Sequence, residues 1–309
     1  MVSRETLTAH QADYKGDSQG WQQQARLLQS LWRERKGLPP RGDGDYDGSY
    51  LPTEEAAAKT GVAYISDDAR SAVHRALGSQ QQGAMLQEKR LWCNLLSSQP
   101  LCFNLFGAFS QHVDDPRTTA ALQAVWPDIK HVTCVSYEHS PGRGAQEFLG
   151  NHTAFDVYIE YVDVAGAERF IGIEVKYHED LSGKAPDLRD RALAVLQSSG
   201  AFLPTAEQAV TSGRLAQLLL DHLLVLSMNE HEGRRGRFVI LYPAPNTAVE
   251  KHVAIYKSHL ADGDESFQAL TLEGVMSAFG TVLDDAWLQE FNARYLNLAA
   301  IELLDSTSG

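Results

Sequence analysis

The chain has 309 residues, of which 43% are hydrophobic and 22% are charged, as is ordinary for a globular protein. The formal net charge of −13 disfavours nonspecific binding to nucleic acid, which depends largely on phosphate neutralisation, without excluding a protein whose basic residues act locally. No run reaches the roughly 20 apolar residues of a membrane span. The first residues also lack the apolar core of a signal peptide. We therefore expect no membrane contact and a cytoplasmic location.

The three cysteines are Cys93, Cys102 and Cys134. An odd number without close C-x-x-C spacing argues against a disulfide framework and against a cysteine zinc site. Cys93 and Cys102 lie in apolar sequence, so we expect both to be small core residues.

The first half of the chain predicts helices followed by one strand. Apolar residues recur at helical spacing over residues 18–36, and a glycine and two prolines end this helix. The apolar segment around Pro100 predicts a buried break between two helical turns. The remaining predicted elements are helices over 67–77, 84–97 and 118–125 and a strand over 130–138.

The second half predicts strands joined by helices. Two strand-like runs, 154–161 and 170–177, are separated by a short turn of small residues. The later elements are helices over 191–197, 205–229 and 248–260, strands over 237–242 and 267–272, and two C-terminal helices within 273–304. This order predicts one α/β domain over 1–309 with a mixed central sheet and an N-terminal helical extension over about 1–80.

The central hairpin carries charges that its strand-like sequence does not explain. Because side chains alternate across a strand, Asp156 shares a face with Tyr158, while Phe155 and Val157 take the opposite face. In the second run, Glu174 and Lys176 share a face with Gly172, which we expect to leave room for them. The alternate residues of the same run form the opposite, apolar face: Ile171, Ile173, Val175 and Tyr177.

A hairpin of these two strands would bring Asp156 close to Glu174 and Lys176. Two neighbouring carboxylates repel, which raises a pKa or recruits a cation. Mg²⁺ prefers oxygen ligands, so Asp156, Glu174 and the carbonyl of Val175 could hold it. The same spacing also fits a surface strand with a carboxylate–lysine salt bridge, and this alternative interpretation stays open at this point.

The D…E-x-K pattern on adjacent strands resembles the PD-(D/E)XK nuclease superfamily, with its αβββαβ restriction-endonuclease-like core. The flanking sequence segments resemble a group of bacterial members of poorly defined function. Ala154-Phe155 precedes Asp156 where the superfamily often has a proline. The segments that carry the resemblance are RLLQSLWRERKGLP, RLWCNLLSSQPLCFNLFGAF, YEHSPGRG, AFDVYIEY, FIGIEVKYHEDL and GRLAQLLLDHLLVL.

The resemblance implies that Asp156 and Glu174 are metal ligands and that Lys176 is the catalytic lysine. A glutamate that helps to bind metal in the superfamily corresponds best to Glu88, with Glu138 as the alternative. A supporting glutamine corresponds to Gln217, which His222 follows on the same helix. Arg143 and His178 are weaker candidates for contacts with phosphate, substrate or metal.

The resemblance further implies a Mg²⁺-dependent phosphodiesterase, with Mn²⁺ as a substitute, that acts on DNA or, less expectedly, on RNA. The alternative is a noncatalytic protein that uses the same fold to bind nucleic acid or a protein partner. No DNA-reading module such as a zinc finger is evident. Cutting both strands of a duplex often needs two active sites, which leaves a homodimer open.

Overall fold

The computed structural model describes residues 2–18, 20–53, 57, 60–181, 188, 190–211 and 213–307. In this part of the chain, five strands form one mixed sheet in the order β1-β2-β3-β4-β5. The first two pairings are antiparallel and the last two are parallel. This sheet confirms the predicted mixed architecture. The strands are β1 (Ile129–His139), β2 (Phe155–Asp163), β3 (Glu168–Val175), β4 (Arg235–Tyr242) and β5 (Phe267–Thr271).

The helices lie before, between and after the strands. Each is too short or too polar to cross a bilayer, as far as the described residues go. They are α1 (Arg4–Ala9), α2 (Trp21–Arg35), α3 (Asp67–Gly78), α4 (Glu88–Cys93), α5 (Ser98–Gln111), α6 (Pro116–Val125), α7 (Asp190–Ser198), α8 (Glu207–Val210), α9 (Ala216–Glu232), α10 (Thr247–Lys257), α11 (Leu272–Phe279), α12 (Ala286–Phe291) and α13 (Ala299–Thr307).

The αβββαβ order of the superfamily core is present as α5, β1, β2, β3, α9 and β4. The antiparallel strands β2 and β3 need only the turn between them, whereas the parallel strands β3 and β4 need a crossover, which includes α9. Helix α9 is rich in leucine and packs on the sheet beside β3 and β4. The predicted fold class is confirmed.

The sheet is covered on both faces. Ile171, Ile173 and Val175 of β3 pack into one core cluster, as the alternation predicts, and Tyr177 joins them. This cluster also includes residues of α2, α5 and the C-terminal helices. Phe170 packs on the opposite face with the leucines of α9, in a second core cluster. The charges gather on this second face only near the end of β3, because α9 buries the rest of the face.

Phe155 and Gly172 also differ from the prediction. Phe155 belongs to the second cluster with Tyr158 and Phe170, not to the face of Val157. A Cβ atom on Gly172 would lie 2.5 Å from the ring of Phe155. The space that Gly172 leaves is thus filled by this ring and not by the charged residues.

The predicted helix over 84–97 is shorter in the structure. Helix α4 ends at Cys93, because Asn94 forms an isolated bridge with Tyr50 and the amide of Leu95 donates to the carbonyl of Ser49. The predicted break is present, but it lies earlier than Pro100, between Cys93 and Ser98. Pro100 lies in the first turn of α5, where a missing amide proton costs little.

Two further predicted helical regions are divided. Residues 205–229 form α8 and α9, with Gly213 in the turn between them, where glycine disfavours a continuous helix. The C-terminal region contains α11, α12, a π-helical turn over Asn292–Leu296 and α13, where we expected two helices.

The terminal helices pack on the same core as the sheet. Leu27 of α2 and Ile301 of α13 belong to the first cluster, together with Ile171 of β3. Cys102 is buried in this cluster and Cys93 in a third one, which confirms both as core residues. The shared core supports a single domain, which stays a prediction.

We expect Gly172→Ala to destabilise the fold by about 1–3 kcal/mol, because the added methyl group overpacks the ring of Phe155. Urea unfolding monitored by circular dichroism measures this difference. Gly78→Ala is the matched control, since a Cβ there meets no atom within 4 Å. Equal unfolding free energies for the two variants would contradict the close packing at Gly172.

Candidate active site

Asp156, Glu174 and Lys176 line one cavity of about 780 Å³ at the end of β3. Nζ of Lys176 lies 2.8 Å from Oε1 of Glu174, and the two side chains are only 10% and 7% exposed. The hairpin therefore brings the three charges together, as its register predicts. They stand at the strand ends, where the second core gives way to the cavity.

Backbone groups of β3 and β4 fix the carboxylate of Asp156 and the main chain of Lys176. The amide of Val175 donates to Oδ2 of Asp156 at 2.9 Å, so β3 orients the carboxylate of its neighbouring strand. The amide of Lys176 donates to the carbonyl of Leu241 on β4 at 2.8 Å. The positions of both residues thus follow from the sheet itself.

Burial acts in opposite directions on the pKa values of Asp156 and Lys176. Burial raises the pKa of Asp156 well above its usual range, and Glu174 adds to this, while the Val175 amide and Lys176 oppose it. Burial lowers the pKa of Lys176, but Glu174 and Asp156 outweigh this effect, and the net pKa is raised. Lys176 is therefore a cation at neutral pH.

Helix α9 contributes Gln217 to the site. Its amide nitrogen donates a hydrogen bond to Oε1 of Glu174, the oxygen that also faces Lys176. The glutamine thus lies where the resemblance to the superfamily implies. It fixes one oxygen of Glu174 from the helix side.

The two candidate glutamates are placed differently. Glu88 is exposed in the first turn of α4 and does not line the cavity, although Gln87 and Arg90 of the same segment do. Glu138 lines the cavity, and its Oε1 accepts from the amide of Met85 at 3.0 Å. Its backbone has a φ of 50°, which is unfavourable for a residue with a side chain. The geometry therefore favours Glu138 over Glu88.

Asp221 is a site residue that the sequence analysis missed. It lies on α9, lines the same cavity and is 3% exposed. An α-helix turns by about 100° per residue, so Asp221, four residues after Gln217, lies on nearly the same helix face. That spacing was the available signal. Burial, followed by Glu174, raises the pKa of Asp221 well above its usual range.

Three weaker candidates point elsewhere. His222 is fully buried between the hydroxyl groups of Tyr256 and Ser266, and burial lowers its pKa to about 3. His178 contacts Asp17 at 2.9 Å. Arg143 donates to the backbone carbonyls of Gly83, Glu138 and His152 and braces the turn after β1. Their hydrogen bonds within the fold account for these side chains.

Tyr177 anchors the segment that carries Lys176. Its carbonyl accepts from Trp21 Nε1 at 2.6 Å and from Asn246 Nδ2 at 3.1 Å. Its hydroxyl accepts from Gln29 and donates to the carbonyl of Tyr295. Helix α2 and the C-terminal region thus hold the residue next to Lys176.

The cavity lining is strongly acidic. Besides Asp156, Glu174 and Asp221 it includes Glu138, Glu179 and Asp180, whereas Lys176 and Arg90 are its cationic side chains among the described residues. No three Asp, Glu, His or Cys side chains in the described part of the chain are placed to share one metal ion directly. Two carboxylates and an unpartnered oxygen of Asp221 suit a hydrated hard cation, which keeps several waters.

A family model describing the PD-(D/E)XK nuclease superfamily matches residues 15–297. The chain belongs to the PD-(D/E)XK nuclease superfamily. The match covers nearly the whole chain and confirms the resemblance on which the site assignment was based. Comparisons with curated proteins and with solved structures found no match. Membership in the superfamily indicates a nuclease.

We expect Asp156→Asn to stabilise the metal-free protein increasingly as the pH rises. The pKa of Asp156 is higher in the folded than in the unfolded chain, so its contribution to the free energy of unfolding falls as the pH rises above about 4. The measurement is the difference in Tm between variant and wild type from about pH 4 to about pH 8, in EDTA. Asp262→Asn, on an exposed loop, is the control. A difference in Tm that does not change with pH would contradict the raised pKa of Asp156.

We expect Asn246→Ala to destabilise the protein by about 2 kcal/mol, because buried carbonyls lose a donor. Asn246 is 3% exposed and donates to the carbonyls of Tyr177 and Glu179, both at 3.1 Å. Its side-chain oxygen also caps α10. Asn246→Asp retains the cap and loses both donors, so denaturant unfolding should show it to be destabilised as well. Wild-type stability of Asn246→Asp would mean that only the cap matters.

Proposed function

We propose that this protein is a nuclease that depends on a divalent metal ion, Mg²⁺ with Mn²⁺ as a substitute, and hydrolyses phosphodiester bonds in DNA. One observation carries the proposal. Asp156, Glu174 and Lys176 meet in a single cavity of a chain that belongs to a nuclease superfamily.

Asp156 and Glu174, with the carbonyl of Val175, are the residues that would hold the cation. A divalent ion bound there would polarise the phosphoryl group and make water a stronger nucleophile. The bond from the Val175 amide orients the carboxylate of Asp156. The bond from Gln217 does the same for Glu174. Both carboxylates are therefore oriented before any ligand arrives, which lowers the reorganisation that binding requires.

Lys176 supplies positive charge beside the scissile phosphate. Its raised pKa keeps the ammonium protonated at neutral pH, so it acts as a cation and not as a proton acceptor. Fixed charge in a water-poor site stabilises developing negative charge strongly. Because acidic residues surround it, the phosphate of a substrate needs both this lysine and the metal ion.

Glu138 is the proposed outer acidic residue of the site, and Glu88 is not part of it. The carboxylate of Glu138 raises the pKa of Asp156 and of Asp221, so it adds to the negative potential in the cavity. DNA is the proposed substrate from the superfamily resemblance, with RNA as the other nucleic acid to test. A homodimer would allow cleavage of both strands.

The noncatalytic alternative has its own support. Lys176 already neutralises Glu174 without a metal ion. The net charge of −13 also disfavours binding to DNA. On this alternative the fold would bind a partner and cleave nothing.

We expect the purified protein to cleave supercoiled plasmid or linear DNA with Mg²⁺ or Mn²⁺ and to lose at least about 100-fold of this activity in Lys176→Ala, as is usual when a charge-stabilising group is removed. Asp156→Ala should lose activity as well, because a metal ligand is missing. Gel assays with DNA and RNA substrates, with and without EDTA, measure the rates.

Asp262→Asn is the control for differences between protein preparations, since Asp262 is exposed on a loop and does not line the cavity. Wild-type activity in Lys176→Ala would point to a contaminating nuclease. Cleavage of neither DNA nor RNA, together with no heat of Mn²⁺ binding in calorimetry, would favour the noncatalytic alternative.

A further inference from the structure

Asp221 is a buried carboxylate with an unpartnered oxygen. Its Oδ2 atom is buried and has no hydrogen-bond partner, and the residue as a whole is 3% exposed. The side chain lines the same cavity as Asp156 and Glu174. A carboxylate in this state is expensive to bury, because it loses water without gaining a hydrogen bond.

Two other buried carboxylates in the described part of the chain are satisfied by partners within the fold. Asp17 is paired with Arg26 and His178, and Glu174 is paired with Lys176 and Gln217. Oδ2 of Asp221 differs from both, although Asp221 lies on a helix whose inner positions are otherwise mostly leucine. The fold alone therefore gives no reason for an aspartate at this position.

The carboxylate of Asp221 shares its cavity with the charged residues at the end of the hairpin. Glu174 and Asp156 raise its pKa and Lys176 lowers it, so the three residues at the end of the hairpin act on it electrostatically. Gln217, one helical turn earlier on α9, contacts Glu174 directly. Helix α9 thus presents an amide to Glu174 and, one turn later, a carboxylate to the same cavity.

The described residues do not provide a third side chain that could bind the metal ion directly. No three acidic, histidine or cysteine side chains among the described residues are placed to share one ion. Mg²⁺ usually keeps several waters and binds through one or two carboxylates, so a further carboxylate can act on it through water. Such outer carboxylates tune the affinity for a metal ion by about 10–100-fold.

We propose that Asp221 is an outer-shell residue of the metal site and that its carboxylate accepts hydrogen bonds from water molecules bound to the cation that Asp156 and Glu174 hold. This inference rests on the proposed function, because it requires that cation. Gln217 and Asp221 then have separate tasks on one face of α9. Gln217 fixes a carboxylate ligand, and Asp221 fixes the water around the ion.

The test measures metal binding without nuclease activity. Isothermal titration calorimetry with Mn²⁺ on the metal-free, full-length protein gives Kd, and the electron paramagnetic resonance spectrum of bound Mn²⁺ reports on its water shell. We expect Asp221→Asn, which preserves the shape of the side chain, to raise the Kd by about tenfold or more. Asp156→Asn should abolish binding, and Asp262→Asn should bind as wild type does.

Asp221→Ser is a second variant in case the asparagine variant misfolds, and circular dichroism checks the fold of each. A Kd for Mn²⁺ that is about tenfold higher in either Asp221 variant, with an altered electron paramagnetic resonance spectrum, supports the proposal. Mn²⁺ binding by Asp221→Asn and Asp221→Ser with the wild-type Kd and spectrum overturns it and leaves the proposed function intact. No Mn²⁺ binding by the wild type overturns both.

Discussion

The structure depends on one electrostatic constraint, which is the burial of several carboxylates beside a single lysine at the end of β3. Asp156, Glu174 and Asp221 lie in a cavity where water cannot fully solvate them, and Lys176 offsets only part of their charge. Like charges in such surroundings raise one another's pKa values or recruit a cation. The site is thus costly without a ligand and suited to one with positive charge.

The rest of the fold holds this strained site in place. The sheet supplies one backbone donor to the carboxylate of Asp156 and one acceptor to the amide of Lys176, while both faces of the sheet are packed with apolar side chains. Helix α2 and the C-terminal region fix Tyr177 through its carbonyl and hydroxyl groups. The elements outside the superfamily core therefore stabilise the residue next to Lys176, and they also pack into the first core cluster.

Local pattern was a good guide wherever one periodicity decides the outcome. The alternation in β3 correctly separated Glu174 and Lys176 from Ile173 and Val175, because a strand fixes that alternation by itself. It failed for Phe155, at the first residue of β2, where the ring turns to fill the space above Gly172. The helical pattern placed the break before α5 too late in the chain, since pairing between Asn94 and Tyr50 ends α4 at Cys93. Both failures involve contacts between residues far apart in the chain.

The sequence by itself determined the order of helices and strands, the family resemblance and the three charged residues of the hairpin, because each follows from spacing within a short segment. Tertiary structure alone decided which residues join them. Glu138 lies in the cavity and Glu88 does not, because only the packing of α4 decides that Gln87 and Arg90 face the cavity instead. Asp221 faces the cavity and His222 the core, because successive helix residues differ by about 100° and only packing of α9 on the sheet sets which face is inward.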